Sequence, residues 1–232
     1  MRPHVVARKT HKWLSLFVGL QVVIWSLSGL YMTAVHLDFI HGDHLIRHPR
    51  SNTADVAQLH DPIALAAESG ARGARLAWVR ERPAYVLTTS AGEKVVDAVS
   101  GTPVAPPSEA EIRSIAKSTY TGNEAIASAA LITDIPGEIR GREPPLWRVE
   151  FDHWNKPTLY FSPATGHLVT RRHELWRIFD FVWMMHIMDY WTRDNVNNPL
   201  IRVFTWGAVL VVLSGAWLLL YSFHRKKKAV RT

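Results

Sequence analysis

The 232-residue chain has no cysteine. That excludes disulfides, iron–sulfur clusters, thiol catalysis and thiolate-bound metal, and leaves any folded domain to its packed core. Carboxylates are missing from both ends. None lies in 1–37 or 195–232, and all 20 fall between Asp38 and Asp194. Ten of the 27 Lys and Arg sit in those ends, so 17 face 20 acidic residues in the middle. The net charge of +7 is therefore a property of the tails. A nucleic-acid binder needs its basic residues on a folded surface, and this middle is slightly acidic. Catalytic signatures are absent too. His173-Glu174 is not continued into H-E-x-x-H, and there is no G-x-S-x-G, phosphate-binding glycine loop, or nicotinamide or flavin fingerprint.

Charge of either sign is also missing from 13–35 and from 203–223, runs of 23 and 21 residues. About 20 apolar residues cross a bilayer as helix. Both runs carry Lys and Arg on their terminal sides, which places those sides in the cytoplasm. The first run is too long for a signal-peptide core, and no A-x-A-like cleavage site follows it. The expected layout is a bacterial inner-membrane protein with both termini cytoplasmic. It has a tail at 1–12, a transmembrane helix at 13–37, a periplasmic domain at 38–172, an interfacial helix and linker at 173–198, a second transmembrane helix at 199–223, and a basic tail at 224–232.

The middle reads as α+β. Asp61 and Pro62 start a short helix over 63–69, and Gly70 and Gly73 end it. Strand patterns follow at 75–79, 84–88 and 93–98, then a turn at Ser100-Gly101. Ser108 with Glu111 has capping-box spacing and starts a helix over 109–118. Strands recur at 129–135, 147–152 and 158–161, closing on Pro163-Ala164-Thr165-Gly166. The order helix, strand, strand, strand, turn thus occurs twice. An internal repeat fixes architecture, here small helices packed on antiparallel sheets. The stretch 175–191 is apolar but interrupted by Arg177, Asp180, His186 and Asp189, with no single polar stripe. Its three Trp and one Tyr suit the headgroup layer.

A strand ending in Asp97-Ala98-Val99-Ser100-Gly101 resembles the PepSY domain, whose hairpin closes on Asp-x-x-Thr/Ser-Gly. The opening Arg8-Lys9-Thr10-His11-Lys12-Trp13-Leu14 with Leu27-Ser28-Gly29-Leu30 is similar to the first helix of PepSY-associated transmembrane proteins. Met185-His186-Ile187-Met188-Asp189-Tyr190 through Leu213-Ser214-Gly215 is similar to that family's closing segment. The resemblance implies a tandem PepSY-like periplasmic domain and kinship with siderophore-iron and ferric reductases, some of them haem-binding. Those relatives have four membrane helices, against two full spans here.

Twelve histidines are the other conspicuous feature. His11 precedes the first span and His36 follows it; His186 precedes the second span and His224 follows it. Two imidazole pairs near opposite faces would suit b-type haem. The resemblance singles out His11 and His186, while His36 and His224 rest on placement alone. Two spans enclose little of a haem, which implies a homodimer or a membrane redox partner. The Ser-Gly steps in both spans offer contact faces. If 36–48 were one helix, His41, His44 and His48 would share a face able to hold Zn²⁺, Cu²⁺ or Fe, although Gly42 weakens that helix. Asp97-Ala98-Val99-Ser100-Gly101-Thr102 partly resembles a covalent FMN attachment site but lacks the Ala before Thr, and reads as a turn. The expected role is transmembrane electron transfer to ferric iron, a siderophore or a periplasmic redox partner. The competing role is a membrane-anchored modulator or assembly protein without cofactor, and a third is metal sensing or delivery through the 36–48 histidines.

Overall fold

A computed structural model describes residues 3–47 and 52–222. The chain divides into a sheet unit, Asp38–Arg177, and a helical unit formed by Met1–Leu37 with Ile178–Thr232.

In the helical unit, α1 (Pro3–Ala34) and α6 (Pro199–Ser222) are each long and apolar enough to cross a membrane. Most of the apolar stretch of each is open to the surroundings. The buried side chains of α1 are Ala7, Val18, Gln21 and Ser28. His11, Leu14 and Trp25 continue the same three-and-four spacing half-buried. Partners across the seam run in opposite directions. His4 meets Tyr221, His11 meets Ser214, and Phe17 stacks on Phe204 at 5.6 Å. The helices are therefore antiparallel. Gly207 admits Val18 so closely that a Cβ there would lie 2.9 Å from Val18 Cγ2.

The far third of α1 has a different neighbour. The second half of α5 (Glu174–Ile187) runs antiparallel along it, with Phe179 near Tyr31 and His186 against Trp25 and Ser28. Thus α5 and α6 follow one another along α1, and the break between them lies level with Trp25. That break is internally satisfied. The Asp189 carboxylate accepts from the backbone N–H groups of Trp191, Thr192, Asp194 and Asn195. Asn198 Nδ2 donates to Ile187 O at 2.8 Å, while its Oδ1 accepts from Ile201 N at 3.0 Å and caps α6.

The sheet unit is a duplicated module. In the first copy α3 (Pro62–Glu68) packs on β1 (Gly73–Val79), β2 (Arg82–Thr89), β3 (Gly92–Asp97) and β4 (Pro103–Val104), an antiparallel meander in chain order. In the second, α4 (Glu109–Thr119) packs on β5 (Ile126–Ile132), β6 (Leu146–Phe151), β7 (Thr158–Phe161) and β8 (Leu168–Arg172). Sequence alone supplied three strands per copy. The fourth, beyond each glycine turn, is short in one copy and polar in the other. The Asp61 side chain caps α3 at Ile63 N, 2.9 Å away. Ser108 and Glu111 form the expected capping box on α4. The sheet surfaces beneath are apolar: Tyr85, Leu87, Val96 and Ala98 lie under α3, and Ile112 and Ala116 of α4 reach Val149, Phe151, Leu159 and Phe161.

Both glycine turns have a physical reason. Asp97 Oδ1 accepts from Val99 N and Ser100 N at 2.9 and 2.8 Å, and Gly101 takes φ 70°. In the second copy Ser162 Oγ accepts from Thr165 N and Gly166 takes φ 75°. A Cβ on Gly166 would come within 2.9 Å of Ile115, so this position is constrained by both backbone and space. Gly166→Ala should destabilise the sheet unit by about 1–3 kcal/mol. Urea unfolding of the detergent-solubilised protein checks this.

Candidate functional site

Two histidines of the helical unit share one construction. His11 Nδ1 lies 2.9 Å from Ser214 Oγ, and His186 Nδ1 lies 2.8 Å from Ser28 Oγ. Each serine is followed by a glycine beside the ring, and the fit is tight only at Gly215. A Cβ on Gly215 would stand 3.2 Å from His11 Cε1, and one on Gly29 would stand 3.7 Å from His186 Cε1. Each serine hydroxyl also bonds backward along its own helix, Ser28 to Ile24 O at 2.6 Å and Ser214 to Val211 O at 2.9 Å. A hydroxyl has one proton. If that proton goes to the carbonyl, the oxygen accepts from Nδ1 and Nε2 carries the lone pair; if it goes to the ring, Nδ1 accepts and Nε2 carries the hydrogen. His11 Nε2 has a long contact of 3.4 Å to Ser15 Oγ. No hydrogen bond to His186 Nε2 is found among the described residues. The His186 carbonyl, exposed at the end of α5, accepts from Trp25 Nε1 at 2.7 Å.

Along α1, His11 and Ser28 are separated by about 25 Å of helical rise. Between them the amide Nε2 of Gln21 is buried without a hydrogen-bond partner among the described residues. The serines and Trp25 were not singled out as site residues by sequence. The Leu-Ser-Gly step that occurs in both helices is the signal that marks them.

The other expected site residues are placed differently. His36 is exposed just beyond the end of α1. His224 and His48 lie outside the described residues. The continuous helix that would align His41, His44 and His48 is not formed. α2 (Leu37–His41) ends at His41, and Gly42 at φ 72° turns the chain into a 3-10 turn at Asp43–Leu45. His41 is exposed, and His44 stacks on Phe39 at 4.6 Å. Among the described residues no three His, Asp or Glu come together as a metal site.

Sequence reading missed two polar centres of the sheet unit. His173 is fully buried. Its Nε2 donates to Ile40 O at 3.0 Å, and its Nδ1 accepts from Trp176 N at 3.4 Å, so one neutral ring ties the start of the unit to the start of α5. Burial pushes its pKa down, and the neighbouring His44 and Arg177 add to the shift. The second centre is Glu138. Arg177 grips both its oxygens, Nε at 2.6 Å and Nη2 at 3.2 Å, and Tyr160 OH donates to it at 2.6 Å. Burial opposes ionisation of Glu138, but the bonds from Arg177 and Tyr160 outweigh it and hold the carboxyl below its ordinary range. Burial and the same hydrogen bond push the Tyr160 phenol up to about 12. An open cleft of about 370 Å³ adjoins these groups, lined also by Arg148, Glu150, Lys156 and Glu174. Arg148 pairs with Glu150 and Arg177 with Glu174, so its charges are mostly spent on one another.

These shifts set an acid response. His173 has a folded pKa below the unfolded value of about 6.5, so the unfolded chain binds more protons and stability falls as pH drops below that value. The Glu138 contribution, present above the ordinary carboxylate range, is lost as pH falls through its depressed folded pKa. Thermal melts between neutral and mildly acidic pH should show the first decline in the wild type. That step should vanish in His173→Asn, leaving the carboxylate loss at lower pH. Compared with known proteins, the chain matches no family model, no curated protein and no solved structure.

Proposed function

We propose that the protein is an inner-membrane subunit of the PepSY-associated type that holds b-type haem through His11 and His186. Its role is electron transfer across the membrane to ferric iron, a siderophore complex or a redox protein outside. The observation that carries this reading is the shared construction: both imidazoles are held at Nδ1 by a serine hydroxyl of a neighbouring helix, which leaves Nε2 as the ring nitrogen for a metal. That is the arrangement a metal-ligating histidine needs, because the bond at one nitrogen orients the other. The Lys and Arg on the terminal sides of both apolar runs support cytoplasmic termini and a periplasmic sheet unit. In that orientation His11 lies toward the cytoplasm and His186 toward the outside.

Haem, when bound, supplies a one-electron couple. The chain's own part is to hold the rings. Ser214 and Ser28 fix their orientation, Gly215 and Gly29 leave space beside them, and the apolar helix faces exclude water. Any further haem ligand would come from a second copy of the chain or from a partner subunit, with His36 and His224 as the candidates this chain can contribute.

Absorption spectra of the protein purified in mild detergent test the reading. After haem-supplemented expression, a Soret band should shift and sharp α and β bands should appear on dithionite reduction. His11→Ala and His186→Ala should each remove part of that spectrum, and Ser28→Ala should keep the pigment with about 10–100-fold weaker retention. A featureless spectrum from intact protein overturns the proposal in favour of a cofactor-free modulator.

A further inference from the structure

The sheet unit begins and ends on one face. Arg171 Nε donates to His41 O at 2.9 Å and its guanidinium pairs with Asp43. His173 holds Ile40 O as described above. The incoming segment 38–43 and the outgoing segment 171–177 are therefore adjacent. The hairpin tip between β6 and β7 joins them. Asn155, itself 4 % exposed, accepts from Glu174 N through its backbone carbonyl at 2.8 Å and from Leu175 N through Oδ1 at 3.2 Å. The residues flanking Asn155 are exposed. Trp154 is 71 % exposed, and Lys156, held at φ 40°, is exposed beside it. Trp154 is the exposed tryptophan of this unit; Trp78, Trp147 and Trp176 are all at least half covered. Phe39, 44 % exposed, lies on the incoming segment.

Both chain ends of this face lead directly into apolar helix. Only Val35 and His36 separate α1 from α2, a tether of at most about 11 Å. On the other side α5 continues without interruption from Glu174 to Ile187. Tryptophan with a neighbouring lysine is the pairing that headgroup layers favour, the ring at the interface and the ammonium reaching phosphate.

We propose that the β6–β7 tip, through Trp154 and Lys156, docks into the lipid headgroup layer and fixes the sheet unit against the membrane. The proposal rests on reading α1 and α6 as membrane spans. The absence of native cysteine makes site-specific labelling direct. Trp154→Cys, Lys156→Cys, Ile63→Cys and Val212→Cys, each carrying bimane, are placed in full-length protein in nanodiscs of phosphatidylethanolamine and phosphatidylglycerol. Ile63 on α3 is 78 % exposed and Val212 on α6 is 69 % exposed.

Headgroup-nitroxide lipid should quench positions 154 and 156 several-fold more than position 63, and aqueous iodide should do the reverse. Acyl-chain nitroxide should quench position 212. If 212 is quenched by the acyl-chain probe while 154 and 156 behave like 63, docking is overturned and the spans stand. If 212 answers only to iodide, the membrane reading itself fails and the docking proposal fails with it.

Discussion

A polar group enclosed between apolar helices is costly unless it finds a partner inside the protein. The helical unit is organised around this requirement. Serine hydroxyls turn back to their own helix carbonyls, histidine rings take the serine oxygens, and Trp25 closes on the carbonyl of His186. Where α5 stops and α6 starts, the loose backbone groups are gathered by two side chains, Asp189 for the N–H groups and Asn198 for the carbonyl of Ile187. Non-helical backbone enclosed among apolar helices is tolerated when it is satisfied in this way. The break can therefore sit level with Trp25 and still present α5 to one end of α1 and α6 to the other.

The sheet unit solves a different problem. It is an insertion between apolar helices, so its two ends must lie together. The duplicated helix-and-meander module does not ensure that by itself, because its own contacts are local hairpins and a helix on each sheet. Closure comes from long-range polar bonds: His173 to Ile40, Arg171 to His41 and Asp43, and Asn155 to the first turn of α5. Arg177, one turn into α5, is fastened to Glu138 with charge-assisted geometry. The start of the helix that leaves the unit is thus held from two sides. A neutral buried histidine suits this clamp because it donates at one nitrogen and accepts at the other.

What the sequence made legible follows from interaction range. The short helices were marked by their caps, Asp61 before Pro62 and Ser108 before Glu111, which act within three residues. The hairpin strands were marked by alternation and by glycine turns. The apolar runs marked the cores of the two long helices, although α1 begins at Pro3, ten residues before its uncharged stretch. Hydropathy has no information on where a basic helical turn begins. The histidine row at 36–48 shares a face only in a continuous helix, and the Gly42 that weakens such a helix in sequence is where α2 ends, at positive φ. His173, Glu138 and Arg177 carry no local signature. Ile40 is distant in sequence from His173, and Glu138 lies in a loop that only the folded sheet brings to Arg177.

The paired Leu-Ser-Gly steps show how a local signal acquires meaning from its partner. In sequence each is a small-residue contact face, and by that criterion both are equally bland. In the structure each receives an imidazole from a different helix, one from α1 and one from α5, and each serine hydroxyl also lies within hydrogen-bond distance of a carbonyl of its own helix. The same construction therefore occurs twice, about 25 Å apart along α1. Neither occurrence can be read from its own segment, because the serine and the histidine that make it come from different helices.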